Sequence, residues 1–147
     1  MYTGDAQAIY QLMTEYCFTI DDGALQACSE LFAQGSWGMA GDIMAEGAAA
    51  AMAVLDNVIL YDGSPGTKHV MSNVSITLNN QTPGSASARC YITVMQAVPS
   101  LLPLQPIFCG SYQDEFLCEN GEWYFKSRVI SPDLVGDLSH HRADWVQ

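Results

Sequence analysis

The order in which helical and strand patterns follow one another constrains the fold of this chain most. Helical patterns, clearest in the first, occupy three early segments at residues 5–21, 24–32 and 48–60. Strand patterns dominate from residue 68 onward, at 68–78, 86–98, 107–118 and 122–130. Because the helices precede the long strands, the sequence predicts an α+β fold. Three N-terminal helices would pack in the concave face of a strongly curved, mainly antiparallel sheet.

The segments between these patterns contain turn and breaker residues. Residues 35–47 fit two short strands around a Gly41-Asp42 turn, and Asn120-Gly121 is a hairpin signal. Three prolines between residues 99 and 106 each remove a backbone donor, so this stretch is predicted to be an apolar loop. The chain from residue 131 onward, which includes the pair His140-His141, is predicted to be an irregular tail.

The charge balance limits the kinds of partner. Sixteen acidic and five basic side chains give a net charge of −11. This disfavours nucleic acid and anionic membranes as partners, because both require basic surface. No apolar run reaches the roughly 20 residues of a membrane-spanning helix, and the first residues lack a signal-peptide pattern. We therefore expect one cytoplasmic domain over residues 1–147, with neither a membrane nor a nucleic-acid partner.

Apolar residues are abundant for so small a domain. They make up 49% of the chain, whereas charged residues make up 14%. This composition indicates that apolar surface is buried in a cavity or against another subunit, and we expect a homo-oligomer, either a dimer or a trimer. The five cysteines are odd in number and lack CxxC spacing, which favours buried reduced thiols over disulfides or a zinc site.

Several short motifs follow one another in an order typical of one superfamily. They include Tyr16-x4-Asp21-x-Gly23, Lys68-His69-Val70-x2-Asn73, Gly110-x-Tyr112-x-Asp114-x-Phe116 and Asn120-Gly121-x-Trp123-x-Phe125. In this order they resemble the SnoaL-like branch of the NTF2-like, or cystatin-like, superfamily, whose fold is an α+β cone. The resemblance covers nearly the whole chain and is more specific for the fold than for a reaction.

The pattern of site residues is most similar to scytalone dehydratase and hexachlorocyclohexane dehydrochlorinase. In those enzymes a histidine on the first long strand abstracts a proton, and an aspartate at the end of the first helix orients it. His69 and Asp21 fall on these two positions. The resemblance implies a cofactor-independent lyase or isomerase, of the dehydratase, double-bond isomerase or cyclase type. Its substrate would be a hydrophobic, oxygenated small molecule.

Histidine chemistry agrees with this assignment, because a free imidazole titrates near pH ~6.5 and is suited to general-base catalysis. Tyr16 is a candidate to hydrogen-bond the substrate, although packing in the core accounts for it equally well. The further candidates for the substrate pocket are Trp37, Met71, Tyr112 and Arg128. For Arg128, a structural ion pair with Asp114 on the neighbouring strand of the predicted hairpin is the favoured interpretation.

Other interpretations remain open at the level of sequence. Asp21-Asp22-Gly23 is also an ordinary helix stop, and His69 could be a structural or surface histidine. The superfamily includes the small β-subunits of ring-hydroxylating dioxygenases. A non-catalytic ligand-binding or structural subunit is therefore the alternative to an enzyme. The sequence contains no metal-ligand set, phosphate loop or dinucleotide fingerprint, so we expect neither a metal nor a cofactor.

Overall fold

The computed structural model of the protein describes residues 4–145, so residues 1–3 and 146–147 of the predicted domain lie outside the described residues. The helices within this range are α1 (Gly4–Asp21), α2 (Leu25–Glu30) and α3 (Gly47–Leu55). The strands are β1 (Ser36–Met39), β2 (Ala45–Glu46), β3 (Thr67–Leu78), β4 (Ser85–Val98), β5 (Leu102–Glu119) and β6 (Glu122–Val135). The predicted α+β class is confirmed. None of these helices is long and apolar enough to cross a membrane.

The strands form one open, mixed sheet in the order β2-β1-β6-β5-β4-β3. Neighbouring strands are antiparallel except for β1 and β6, which run parallel and place Trp37 beside Arg128. The four long strands form the predicted antiparallel meander. The predicted pair of short strands, β1 and β2, is added to the sheet where β1 pairs with β6. Local sequence patterns do not reveal this parallel junction, because it joins segments that are far apart in the chain.

The core lies on the concave face of the sheet. Side chains of β4 alternate along the strand, and the buried members of the first part are Ala86, Ala88, Cys90, Ile92 and Val94. Such alternation is expected when one face of a strand is packed and the other is not. From α1, the buried side chains of Ile9, Met13 and Ile20 join the same cluster. Full burial of such a side chain stabilises a fold by about 1.5–3 kcal/mol.

The third helix is shorter and less buried than its apolar sequence predicts. It ends at Leu55 rather than at residue 60, because the chain turns away and Val58 forms an isolated bridge with Arg142. Within α3, only Ala51 and Leu55 are buried.

The prolines of residues 99–106 do not prevent strand formation, so the prediction of a loop there was wrong for its second half. β5 begins at Leu102 and includes Pro103 and Pro106. β6 pairs with β5 only from Phe108 onward, and shifts in register interrupt the pairing of β5 with β4 near these prolines. The prolines thus lie at an irregular part of the strand that has a single neighbour, where proline is tolerated.

The prediction of an irregular tail from residue 131 was wrong for its first residues, because β6 continues to Val135, paired with β5. The segment that follows β6 is irregular, but it is anchored to the body of the protein. The backbone N–H of Ile59 donates to the carbonyl of His141 at 2.9 Å, and the N–H of Ala143 donates to the carbonyl of Asn57 at 2.8 Å. These bonds hold residues 138–145 against the chain that leaves α3.

Candidate functional site

A cavity of about 360 Å³ lies between α1, β1, the long strands and the C-terminal segment. Its volume falls within the ~300–1,000 Å³ typical of small-molecule sites. Much of the wall is apolar, including Ile20, Val94, Phe108, Ile130 and Leu138. Groups able to form hydrogen bonds in the wall include those of Tyr16, Trp37, His69, Tyr112 and His141. The cavity therefore offers an apolar environment with a few polar contacts.

Asp21 is the last residue of α1, and the chain turns sharply after it. The N–H of Asp22 donates to the carbonyl of Phe18 at 2.9 Å, and Gly23 follows with a φ of +73°. Glycine is required there, because this φ is left-handed and a Cβ would collide with the carbonyl oxygen of Gly63. The turn ends the helix where the Asp21 carboxylate contacts β3.

Asp21 and His69 are in direct contact. His69 Nδ1 lies 2.7 Å from Asp21 Oδ1, and the His69 backbone N–H donates to Oδ2 at 2.8 Å. The Thr67 hydroxyl donates to Oδ1 at 2.8 Å. Because β3 is an edge strand, alternate N–H groups lack a neighbouring strand, and Asp21 satisfies one of them. The side chains of His69 and Asp21 are only 6% and 7% exposed.

These contacts determine the charge of Asp21 and the tautomer of His69. Burial raises the pKa of Asp21, but hydrogen bonds from His69 and Thr67 and the charge of His69 outweigh burial and lower it. An ionised carboxylate only accepts hydrogen bonds, so Nδ1 of a neutral His69 carries the proton and Nε2 holds the lone pair. No hydrogen bond from residues 4–145 reaches Nε2. That atom is not sealed from solvent, and the His69 side chain is part of the cavity wall.

Tyr16 and Trp37 are joined by a hydrogen bond in the cavity wall. Trp37 Nε1 donates to the Tyr16 hydroxyl oxygen at 3.1 Å, and this direction is certain because an indole cannot accept. Burial raises the pKa of Tyr16 far above its usual range, so the hydroxyl keeps its own proton and can donate it to another group. The Tyr16 ring lies edge-on to His69 and to Tyr112, with centroids 6.5 and 5.6 Å apart.

Arg128 lies behind the tyrosines rather than in the wall of the cavity. Its guanidinium donates two 2.8 Å hydrogen bonds to Asp114 on the adjacent strand, and both side chains are fully buried. Its Cζ lies 4.4 Å from the ring centroid of Tyr16 and 4.1 Å from that of Tyr112, within cation–π distance. The ion pair considered from the sequence is therefore present, and it supports the two tyrosine rings.

The structure brings most of the predicted site residues together. Those that line the cavity are Tyr16, Trp37, His69 and Tyr112. Asp21 lies directly behind His69. Met71 and Arg128, which the sequence placed in the pocket, do not line this cavity; Met71 packs against the core from further along β3.

His141 is a cavity residue that the sequence did not reveal. The prediction placed it in an irregular tail, whereas the structure places its ring in the wall, with its centroid 6.2 Å from that of His69. Burial lowers the pKa of His141 to about 3, and the charges of His69 and Arg142 act in the same direction. Leu138 and Trp145, which flank the histidines, could have indicated in the sequence that this segment is packed against the protein. Large apolar side chains are more often buried than exposed.

An open curved sheet, helices in its concave face and an apolar cavity lined by a histidine that contacts an aspartate behind it define an α+β cone domain of the NTF2-like, or cystatin-like, class. Within that class, the family model of the SnoaL-like domain matches residues 2–129, and the chain belongs to this family. The family includes polyketide cyclases and dehydratases. None of the curated proteins matches the chain significantly.

Several solved structures share the fold. An NTF2-like protein with a cystatin-like fold from Novosphingobium aromaticivorans has a TM-score of 0.72 and 23% identity, over 92% of this chain and 86% of its own. A protein of the same organism assigned as a scytalone dehydratase has a TM-score of 0.70 and 22% identity, over 89% and 85%. ActVI-ORFA from Streptomyces coelicolor has a TM-score of 0.70 and 15% identity, over 86% and 96%. At these identities the likeness establishes the fold alone.

Proposed function

We propose that this protein is a cofactor-independent lyase or isomerase that uses His69 and Asp21 to remove a proton from a hydrophobic, oxygenated small molecule. The observation that carries the proposal is the 2.7 Å contact between His69 Nδ1 and Asp21 Oδ1, in a residue that lines an apolar cavity. Such a pair supports general-base catalysis, because the carboxylate selects the tautomer and stabilises the imidazolium that forms.

In the proposed first step, His69 Nε2 takes a proton from a carbon next to a carbonyl group. The electron pair of the broken C–H bond moves into the substrate, and the carbonyl becomes an enolate. Asp21 then pairs with the new imidazolium, at a place where low exposure makes the attraction stronger than in water. A positioned general base contributes a rate factor of about 10²–10⁴.

Tyr16 is the proposed donor to a substrate oxygen. Because Trp37 already donates to the Tyr16 oxygen, the hydroxyl proton is free for the substrate. A hydroxyl that accepts one hydrogen bond is also a better donor in the next one, since successive hydrogen bonds polarise each other. Tyr16 would therefore stabilise negative charge on oxygen while remaining protonated. Dehydration, double-bond migration and cyclisation can all begin with this step.

The test is the exchange of the α-hydrogens of 2-tetralone, a bicyclic aromatic ketone, for deuterium in D₂O, followed by proton NMR. We expect the wild type to accelerate exchange relative to buffer, and His69→Ala to lose at least about 10²-fold of the rate. His140→Ala is the matched control, because the His140 ring contacts Ser139 and Asp137 rather than the cavity. A wild-type rate equal to that of buffer, or an undiminished rate in His69→Ala, would contradict the proposal.

The non-catalytic alternative predicts the opposite result for the same variant. In a ligand-binding or structural subunit, His69→Ala would lower the free energy of unfolding, because Asp21 would lose the hydrogen bond from the imidazole ring. It would leave the exchange rate at the wild-type value. The exchange rate separates the two functions, because the hydrogen bond to Asp21 is lost in either case. Urea unfolding measured beside it shows whether the variant is folded.

A further inference from the structure

His141 faces His69 inside the cavity. Their ring planes meet at 61° with the centroids 6.2 Å apart, and His69 Nδ1 is engaged by Asp21 rather than by His141. The backbone of His141 is held on both sides, since its N–H donates to the carbonyl of Leu138 at 3.0 Å and its carbonyl accepts from Ile59. The ring therefore has a defined place, although it belongs to an irregular segment.

The two ring nitrogens of His141 have different surroundings. Nδ1 is sealed from solvent and has no hydrogen-bond partner within residues 4–145. Nε2 is not sealed in this way, and the residue lines the cavity, so we infer that Nε2 is the nitrogen available to a ligand. A buried N–H without an acceptor is rarer and more costly than a lone pair without a donor. The favoured neutral tautomer therefore carries its proton on Nε2, so that His141 presents a donor where His69 presents an acceptor.

We propose that His141 donates a hydrogen bond from Nε2 to the substrate. The acceptor of His69 and the donor of His141 together select a ketone whose carbonyl carbon is bonded to the carbon that loses the proton. This inference rests on the proposed function of His69. In the step, the C–H bond breaks, the new N–H bond forms at His69 Nε2, and the electron pair is delocalised onto the carbonyl oxygen. His141 keeps its own proton throughout.

The surroundings of His141 determine whether it can act as a hydrogen-bond donor or as an acid. Burial lowers its pKa to about 3; His69 on β3 and Arg142 on its own segment act in the same direction, and Asp21 on α1 acts in the opposite one. A neutral imidazole stabilises an enolate oxygen by hydrogen bonding, but it is too weak an acid to protonate a leaving hydroxyl group efficiently. His141 is therefore suited to assist enolisation of a ketone rather than to act as the acid in the loss of a hydroxyl group.

The tautomer of His141 can be measured without any ligand. In ¹⁵N-labelled wild-type protein at neutral pH, correlations between the ring nitrogens and the ring carbon-bound protons identify which nitrogen carries hydrogen. We expect a proton on Nε2 and none on Nδ1. A proton on Nδ1, or on both nitrogens, would overturn the inference whether or not a ligand binds.

Binding of 2-naphthol, a stable analogue of the enol of 2-tetralone, tests the donor itself through the fluorescence of the naphthol. We expect His141→Phe to raise Kd by about 2–10-fold, the worth of one hydrogen bond, and His141→Asn to restore part of the loss through its amide N–H. His140→Phe is the control and should leave Kd unchanged. An unchanged Kd in a folded His141→Phe would overturn this inference alone, whereas a wild type that fails to exchange 2-tetralone would contradict the proposed function. If the variant does not fold, the tautomer of the wild type decides.

Discussion

The carboxylate of Asp21 holds His69 at two points, the ring Nδ1 at 2.7 Å and the backbone N–H at 2.8 Å. The first contact selects the tautomer, and the second ties the edge strand to the end of α1. Thr67 adds a third donor to the same carboxylate. The orientation of the imidazole is thus determined by the fold as well as by its own torsions. A base held in this way needs little further ordering during a reaction.

Asp21→Asn should impair exchange without unfolding the protein. The amide keeps the shape of the side chain but carries no charge to stabilise the imidazolium, so we expect the 2-tetralone exchange rate to fall by about 10²-fold or more. Asp22→Asn, one residue along the chain and exposed, is the matched control and should exchange at the wild-type rate. A folded Asp21→Asn as fast as this control would show that the carboxylate has no part in the chemistry.

Acid should destabilise the protein through His141. Its pKa is lowered to about 3 in the folded state, from about 6.5 in the unfolded chain. Between these values the unfolded chain binds more protons, so the free energy of unfolding rises with pH by up to ~1.4 kcal/mol per unit. We expect this group to make the wild type about 2 kcal/mol less stable near pH 5 than near pH 7.

The control for this prediction is His141→Phe, which should lack this part of the pH dependence in urea unfolding. Asp21 does not interfere, because a carboxyl with a lowered pKa loses its stabilising contribution only below about pH 4, as pH falls through the folded value. Identical pH dependence in the two proteins would mean that the His141 ring is not held neutral in the core.

The buried pair of Arg128 and Asp114 should dominate the stability of the sheet next to the cavity. Asp114→Asn leaves a fully buried guanidinium without its counter-charge, and we expect the free energy of unfolding to fall by about 3–5 kcal/mol. Glu115→Gln removes the adjacent carboxylate, which is 59% exposed and 3.5 Å from Lys126. It should cost at most about 1 kcal/mol. Similar losses in both variants, measured by urea unfolding, would contradict this difference.

The outer face of the sheet is where we expect copies of the chain to associate. Val70, Tyr91 and Leu134 are 50%, 57% and 71% exposed there. The strand register places Val70 and Leu134 in one row, linked by Thr93 and Cys109. Tyr91→Glu should convert a dimer or trimer to monomer in size-exclusion chromatography with light scattering. A wild-type monomer, or an unaffected oligomer in the variant, would contradict an interface around Tyr91 on this face of the sheet.

The sequence placed Asp21 and His69 together through the resemblance to the SnoaL-like family. Local patterns mark only their separate positions, the end of a helix and the start of a strand, and do not show that the two residues meet. The position of Arg128 was harder to predict, because its packing behind Tyr16 depends on the register of β5 and β6. A shift of one residue in that register would turn the Arg128 side chain to the opposite face of the sheet. His141 could not be placed, because hydrogen bonds to a distant part of the chain position its segment and no periodic pattern marks it.

The most direct test of joint action by His69 and Asp21 is a double-mutant cycle on the exchange of 2-tetralone, with His69→Ala, Asp21→Asn and the two combined. If Asp21 acts through His69, removing the carboxylate has nothing left to impair once the imidazole is gone. We therefore expect the double variant to exchange at the same rate as His69→Ala. A double variant whose loss equals the product of the two single losses would contradict it, because the two residues would then act independently.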